Sequence, residues 1–492
     1  KVLRQKIERI PDGEYRAEGF MDDDGKNRDV TLPVKVCVRV QGDGIEIDLT
    51  GSADQVETGF NVPFEGSTKV ACFCAIRSLL LDAETSEIQV PSNEGSFRPI
   101  KVIAPKGSIY NPEFPAAAEA RFTQCNRVID LIYKALAPVL PEEIIAGSSA
   151  SLSFVSYSGI RPSGDYWVFL EVNEGAYGGR PRSDGPDSID NLMANTRNNP
   201  LEDLAIHLPM ICDRYELRDD VLPGAGRYRG GIGVVKSQRV LTDAFMTHEN
   251  ERHQDVPWGI FGGWEGTTGK VEIYNVSDPG NVRDMPAKFS GIKINAGDVH
   301  AFYAPCGGGY GDPLERPASQ VLEDVLDDFC TVEHAREAYG VVVDLSKEVV
   351  DDSATESLRA QMRSQPSAIK SVPEHKAQQV ARAVVPVQRD PVEHRISESM
   401  QPTRSCDHDQ TVASTISELR GTFGDNWSFD IVYHTSNRSL TEVRGELRAN
   451  GAYASETGTN ENTGEDYSAG KRLRAAAEQS FVRCAQKLLH NT

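Results

Sequence analysis

Apolar and polar residues alternate at Val34, Val36, Val38 and Val40, and again at Ile45, Ile47 and Leu49 beyond the turn Gly42-Asp43-Gly44. A period of two puts one face of each run on a core, so the segment is predicted to be a β-hairpin. The period then changes. Val70, Phe73, Ile76 and Leu80 recur at helical spacing, with Ser67 placed to cap the first turn. Val128, Ile132, Ala135 and Leu136 predict a second helix, which Pro138 ends. Between Ala150 and Pro305 short runs such as Trp167-Val168-Phe169-Leu170 and Val271-Glu272-Ile273-Tyr274 are separated by glycine and proline, the pattern of a β-rich body. Val321, Leu322, Val325, Leu326 and Phe329 share one helical face, and Thr331 is placed to cap a further helix that Gly340 closes.

Beyond Asp344 the pattern thins. Residues 346–404 are polar and poor in aromatics, and read as a linker or an exposed helical segment. Further on, Trp427, Phe429, Ile431 and Tyr433 alternate as a strand, Val443 and Leu447 suggest its partner, and Leu473, Ala476, Ala477, Phe481 and Cys484 mark an amphipathic helix. The expected fold is α+β: a β-rich core with several packed helices over residues 1–345, the linker 346–404, and a small C-terminal α/β unit over 405–492.

Charge and cysteine content narrow the class. A formal charge of −21 disfavours a nucleic-acid or anionic-membrane surface, because phosphates would be repelled. Nine cysteines scattered over 492 residues do not form a disulfide framework. No apolar run reaches membrane-spanning length, and Lys1 to Arg9 lack the apolar core of a signal peptide. A cytoplasmic protein is expected.

Several clusters could carry chemistry. Asn195, Arg197 and Asn198 set a guanidinium between amides ahead of Pro200, able to hold a carboxylate or an amide carbonyl, or else to staple a loop. Gly175 to Gly179 would let a ligand approach the backbone, with Arg180 as an anion partner. Neither this run nor Gly307 to Gly311 is followed by the Lys-Ser or Lys-Thr of a phosphate loop, so tight packing is the better reading of both. His248, Glu249, Glu251, Arg252, His253 and Asp255 form a dense ionisable run that could bind a metal or supply a base, but two histidines in a polar loop more often lie on a solvated surface. Arg252 is the member placed nearest a site, and no metal ligand is assigned. Cys306 precedes a glycine run and could be a nucleophile, or a small buried hydrophobe. Cys72-Phe73-Cys74 is no zinc pattern, and Asp22-Asp23-Asp24-Gly25 reads as a solvated turn. The substrate-binding candidates are therefore Arg180, Asn195, Arg197, His248 and Arg252. No catalytic residue is assigned.

Five blocks in order carry a resemblance: Asn93-Glu94-Gly95-Ser96-Phe97-Arg98-Pro99, Asn195-Thr196-Arg197-Asn198-Asn199-Pro200, Gly226-Arg227-Tyr228-Arg229-Gly230-Gly231-Ile232-Gly233, Pro257-Trp258-Gly259-Ile260-Phe261-Gly262-Gly263 and Gly307-Gly308-Gly309-Tyr310-Gly311-Asp312-Pro313. From about Ile10 to Asp344 the chain resembles the hydantoinase B/5-oxoprolinase family. The resemblance implies a B-type subunit that opens a lactam or hydantoin ring together with a hydantoinase A-type partner, in a hetero-oligomer, with ATP bound by the partner. Its other branch implies a subunit of an ATP-dependent acetone or acetophenone carboxylase, separable by dependence on bicarbonate. A non-catalytic assembly protein is the third expectation. The family's divalent-metal ligands lie upstream of the matched region, and this chain has no histidine before His207. The matched portion therefore resembles the downstream part of a family member, as a fragment or with its remainder on a separate polypeptide.

Overall fold

The computed structural model describes residues 1–81, 90–194 and 196–364, together with the backbone of 427–436 and 439–449. The chain divides into two compact units, Lys1–Ala383 and Val384–Thr492. The first unit opens with helix α1 (Val2–Ile7) and strands β1 (Gly13–Met21), β2 (Leu32–Gln41) and β3 (Gly44–Asp48). These three strands form an antiparallel meander. After α2 (Lys69–Leu80) and α3 (Glu94–Phe97), β4 (Ile100–Ile103) adds to β3 in parallel, and α4 (Arg121–Leu136) follows. The valines of β2 and the isoleucines of β3 are buried in one core with α2 and α4, as the alternation requires.

Helix α2 differs from its expected form. It starts at Lys69 after a π-helical turn over Phe64–Thr68, and Ser67 is not its cap. Val70 is exposed, while Ala71, Cys72, Ala75 and Ile76 are buried. Small side chains, which carry little periodic signal, let this helix lie close to α4.

A β-sandwich follows. It is built from β5 (Ser153–Ile160), β6 (Tyr166–Asn173), a short α5 (Leu201–His207), β7 (Met210–Leu217), β8 (Val234–Val240), β9 (Ala244–Glu249), β10 (Lys270–Asn275), β11 (Asp278–Met285), β12 (Lys288–Ile294) and β13 (Asp298–Tyr303). One sheet runs β11-β10-β13-β8-β7 and the other β12-β9-β5-β6, and inward residues of both share a core. Helices α6 (Ala318–Leu326) and α7 (Val332–Tyr339), the pair β14 (Val343–Asp344) and β15 (Val349–Val350), and α8 (Asp352–Ser364) complete the described part of this unit. Thr331 accepts the His334 N–H as cap and Gly340 closes α7 in the left-handed conformation, as expected.

The glycine blocks meet in one place. Gly307, Gly308 and Gly309 donate their N–H groups in succession to the carbonyls of Gly231, Gly147 and Trp264, on three different neighbouring segments. Donation that turns to a new neighbour at each residue suits an extended helix of about three residues per turn with no internal hydrogen bonds. Threads at this spacing have no room for side chains. A Cβ on Gly230 would stand 1.9 Å from the Gly307 carbonyl oxygen, and one on Gly307 would stand 2.0 Å from that of Tyr177. The tight-packing reading of Gly175–Gly179 and Gly307–Gly311 therefore holds, and their amides are engaged among the threads.

In the second unit β16 (Trp427–Ser436) pairs antiparallel with β17 (Ser439–Ala449), bringing Tyr433 opposite Val443 and Phe429 opposite Leu447. The helix expected around Leu473 to Cys484 lies outside the described residues. The molecule is a mixed α+β protein, and among the described residues no helix is long and apolar enough to cross a membrane.

Candidate functional site

A buried charged junction forms where β1, α4, β12 and the segment after β9 converge. The acidic turn that follows β1 is not solvated: Asp22, Asp23 and Asp24 are buried. Asp22 accepts the N–H groups of His253 at 2.8 Å and Gln254 at 3.2 Å, and gives its own N–H to Glu251 at 2.9 Å. Glu251 is ion-paired with Lys288, and both are fully buried. Burial pushes the Glu251 carboxyl up to about 7, with Lys288 pulling against it. Half-buried Glu249 is pushed up to about 8, again mainly by burial and then by Glu119. Carboxyls poised near neutrality can give or take a proton.

Arg252 is the keystone of the junction. Its guanidinium donates to Asp130 at 2.8 Å, Asp255 at 2.7 Å, the Val256 carbonyl at 3.0 Å and the Ser149 carbonyl at 3.3 Å. Those bonds hold it at φ 68, a left-handed backbone that only a well-fixed non-glycine residue adopts. Trp258, from the fourth sequence block, donates its indole N–H to the same Asp130 at 3.0 Å. Arg127 on α4 reaches Asp255 at 2.8 Å.

A second polar file lies inside the sandwich. Lys236 pairs with Glu171 at 2.6 Å, and Glu171 also accepts from Gln238 Nε2 at 2.6 Å. The Gln238 oxygen accepts from the Tyr157 hydroxyl, whose oxygen lies 2.8 Å from His300 Nδ1. With the tyrosine proton committed to Gln238, His300 Nδ1 must be the donor and Nε2 carries the lone pair. His248 faces it with ring centroids 5.0 Å apart. Burial lowers His300 to about 3, and burial, then His300 and His253, lower His248 well below its usual value.

Depressed histidines make an acid-sensitive core. Above the unfolded value near 6.5 both states are neutral; below it the unfolded chain takes up a proton that His300 refuses down to about 3. Stability is therefore expected to fall as pH drops through that window, by about 3–5 kcal/mol for His300 alone. Denaturation midpoints between pH 7 and pH 4 measure it, and His300→Gln should flatten the slope. An equal slope in both proteins would remove His300 from the account.

The sequence candidates separate into two groups. His248 and Arg252 are buried at 1% exposure, His248 within β9, so the expected solvated loop is instead part of the interior. The pairing of Arg252 with Asp130 on α4 and of Glu251 with Lys288 on β12 makes that burial tolerable. Arg180 and Arg197 are exposed on loops, and Arg180 donates to the Asp184 carbonyl at 3.0 Å. Asn198 donates to the Tyr215 hydroxyl, and Asn195 lies outside the described residues. Cys306 is buried, accepting the Gly233 N–H at 3.4 Å. The residues not singled out from sequence are Gln124, Arg127 and Asp130 on α4 and Lys288 on β12. The spacing of three that puts Gln124, Arg127 and Asp130 on one side of α4 was the available signal for the first three, and the helix's other polar residues, Arg121, Thr123, Asn126 and Lys134, masked it.

The fold and this junction define a class of mixed α+β chain that gathers its ionisable groups inside, where a sandwich meets a helix-covered sheet. Residues 1–313 match the model of the hydantoinase B/oxoprolinase family, and the chain belongs to that family. It is 42% identical over 366 residues to the B-type component of a putative D-/L-hydantoinase from Pseudomonas sp. (strain NS671), covering 73% of this chain and 60% of that one. It is 26% identical to the beta chain of the caprolactamase of Pseudomonas jessenii, covering 73% and 61%. The solved nucleotide-free structure of an acetone carboxylase shares the fold at a TM-score of 0.63 and 19% identity, covering 78% of this chain and 56% of that one. The chain thus spans less than two-thirds of the length of these relatives.

Proposed function

We propose that this chain acts as a B-type subunit of an ATP-dependent enzyme that opens a cyclic amide ring, together with a hydantoinase A-type partner. The observation that carries the reading is the 42% identity to a hydantoinase component of the B type. ATP is assigned to the partner, since the glycine amides that could cradle a phosphate are engaged by neighbouring threads. Coupling to ATP suits the chemistry: an amide carbonyl is deactivated by resonance, and phosphorylation of its oxygen supplies a leaving group. The buried junction would orient the ring and manage its protons, with Glu249 and Glu251 as the proton-carrying groups. Among the described residues no group of three or more His, Cys, Asp or Glu side chains is placed to hold a metal ion, and no step is routed through one. An ATP-using partner makes the cytoplasm the proposed location. The shared fold with acetone carboxylase keeps a carboxylase as the second reading.

The test is co-expression with an A-type partner, assaying ATP hydrolysis on hydantoin, 5-oxoproline and simple ketones, with and without bicarbonate and with the upstream segment supplied. Ring-dependent hydrolysis indifferent to bicarbonate is expected. Ketone-dependent hydrolysis that requires bicarbonate would replace this reading by the carboxylase. Hydrolysis that no ring or ketone stimulates would leave the assembly role.

A further inference from the structure

We propose that Gln124 and Arg127 grip the amide edge of the cyclic substrate, an assignment that rests on the ring-opening function above. The two side chains stand one turn apart on the same side of α4, at 0% and 1% exposure. Among the described residues Gln124 Oε1 and Nε2 have no hydrogen-bond partner, and neither do Arg127 Nε and Nη2. Four such atoms on two neighbouring side chains are costly if left dry. Arg127 Nη1 is meanwhile tied to Asp255 at 2.8 Å, which fixes the guanidinium plane and leaves its Nε/Nη2 edge open.

The open groups specify a ligand. In a small ring the amide is cis, so its C=O and N–H lie side by side. A primary carboxamide complements that edge: Gln124 Nε2 donates to the carbonyl while Oε1 accepts the ring N–H. The Arg127 edge adds a donor for the second lone pair of the same carbonyl. Lactams and hydantoins both present this edge. A carboxylate would match the donors but not the Gln124 oxygen, and it would meet the field of Asp255, Asp130, Glu251 and Asp22 around Arg127. The Tyr110 hydroxyl donates to the backbone carbonyl of Gln124 at 3.4 Å, and Glu251 lies within electrostatic reach of both Tyr110 and Arg127. A ring held here would sit among fully buried side chains, away from bulk water.

The experiment compares the co-expressed complex carrying Gln124→Met or Arg127→Lys with the unmodified complex. Gln124→Met keeps the volume and removes two unpartnered polar atoms, so its melting temperature should be unchanged or higher. KM for hydantoin should nonetheless rise about tenfold or more, the loss of one to two good hydrogen bonds. Arg127→Lys keeps the charge, loses the planar edge, and should raise KM similarly. A raised melting temperature with unchanged KM would show both residues to be structural and overturn the assignment while leaving the function intact. A calorimetric arm needs no turnover: the unmodified complex should bind 2-pyrrolidinone about tenfold more tightly than N-methyl-2-pyrrolidinone, and Gln124→Met should erase that preference. If the preference is present but no ring is turned over, the site stands and the function falls. If neither ring binds, both fall.

Discussion

Gly230→Ala is expected to destabilise the fold severely. The added methyl would stand 1.9 Å from the Gly307 oxygen and 2.4 Å from its carbonyl carbon, and both obstacles are backbone. No rotamer change relieves such a contact, so two of the glycine threads must separate and release hydrogen bonds on either side. A cost above about 4 kcal/mol follows, against a whole-protein stability of about 5–15 kcal/mol. Gly280→Ala is the control: nothing lies within 4 Å of its Cβ position, so its effect should stay within about 0.5 kcal/mol. Soluble yield and thermal melting compare the two, and a Gly230→Ala protein that melts with the unmodified one would mean that the threads are not packed as described.

The glycine threads also show which parts of this molecule a sequence discloses. The hairpin of β2 and β3, the cap and stop of α7, and the strand at Trp427 are local matters, settled by alternation, Thr331 and Gly340. The glycine blocks were visible as blocks, and tight packing was the correct physical reading. That Gly147, Gly231 and Trp264 would meet at one glycine triplet was not visible, because each contact joins segments separated by dozens of residues through backbone alone.

The charged junction was hidden for a related reason. Asp22-Asp23-Asp24 and Glu249 to Asp255 look like solvated surface when each is judged by its own neighbours. Each becomes tolerable in the interior only through the other, and through Asp130 and Lys288. Burial of a charge depends on its partner, and the partner is set by the fold. Helix α2 is the opposite case. Of the visible period, Ile76 and Leu80 are buried, Phe73 packs against the core and Val70 is exposed, while Ala71, Cys72 and Ala75, which carry no periodic signal, complete the buried face.

Within the junction, loss of Arg252 and loss of Lys288 should differ in size and in pH dependence. Arg252→Met strips Asp130 and Asp255 of a shared guanidinium and leaves the Ser149 and Val256 carbonyls without their donor. Breaking a buried pair in this way costs about 3–5 kcal/mol. A guanidinium does not titrate in the working range, so the deficit should persist from pH 5 to pH 8. Lys288→Met removes the partner of a carboxyl that burial already pushes up to about 7. Without the ammonium that carboxyl rises further, and it can escape its penalty by keeping its proton. A raised acid contributes stability that is complete below its unfolded value near 4.5 and is lost as pH climbs through the folded value. The Lys288→Met protein should therefore match the unmodified one near pH 5 and fall behind it progressively towards pH 8. Denaturation midpoints at the two pH values decide the matter. A Lys288→Met deficit as large at pH 5 as at pH 8 would mean that Glu251 is not the group that titrates, and would remove it from the proton-carrying role proposed for ring opening.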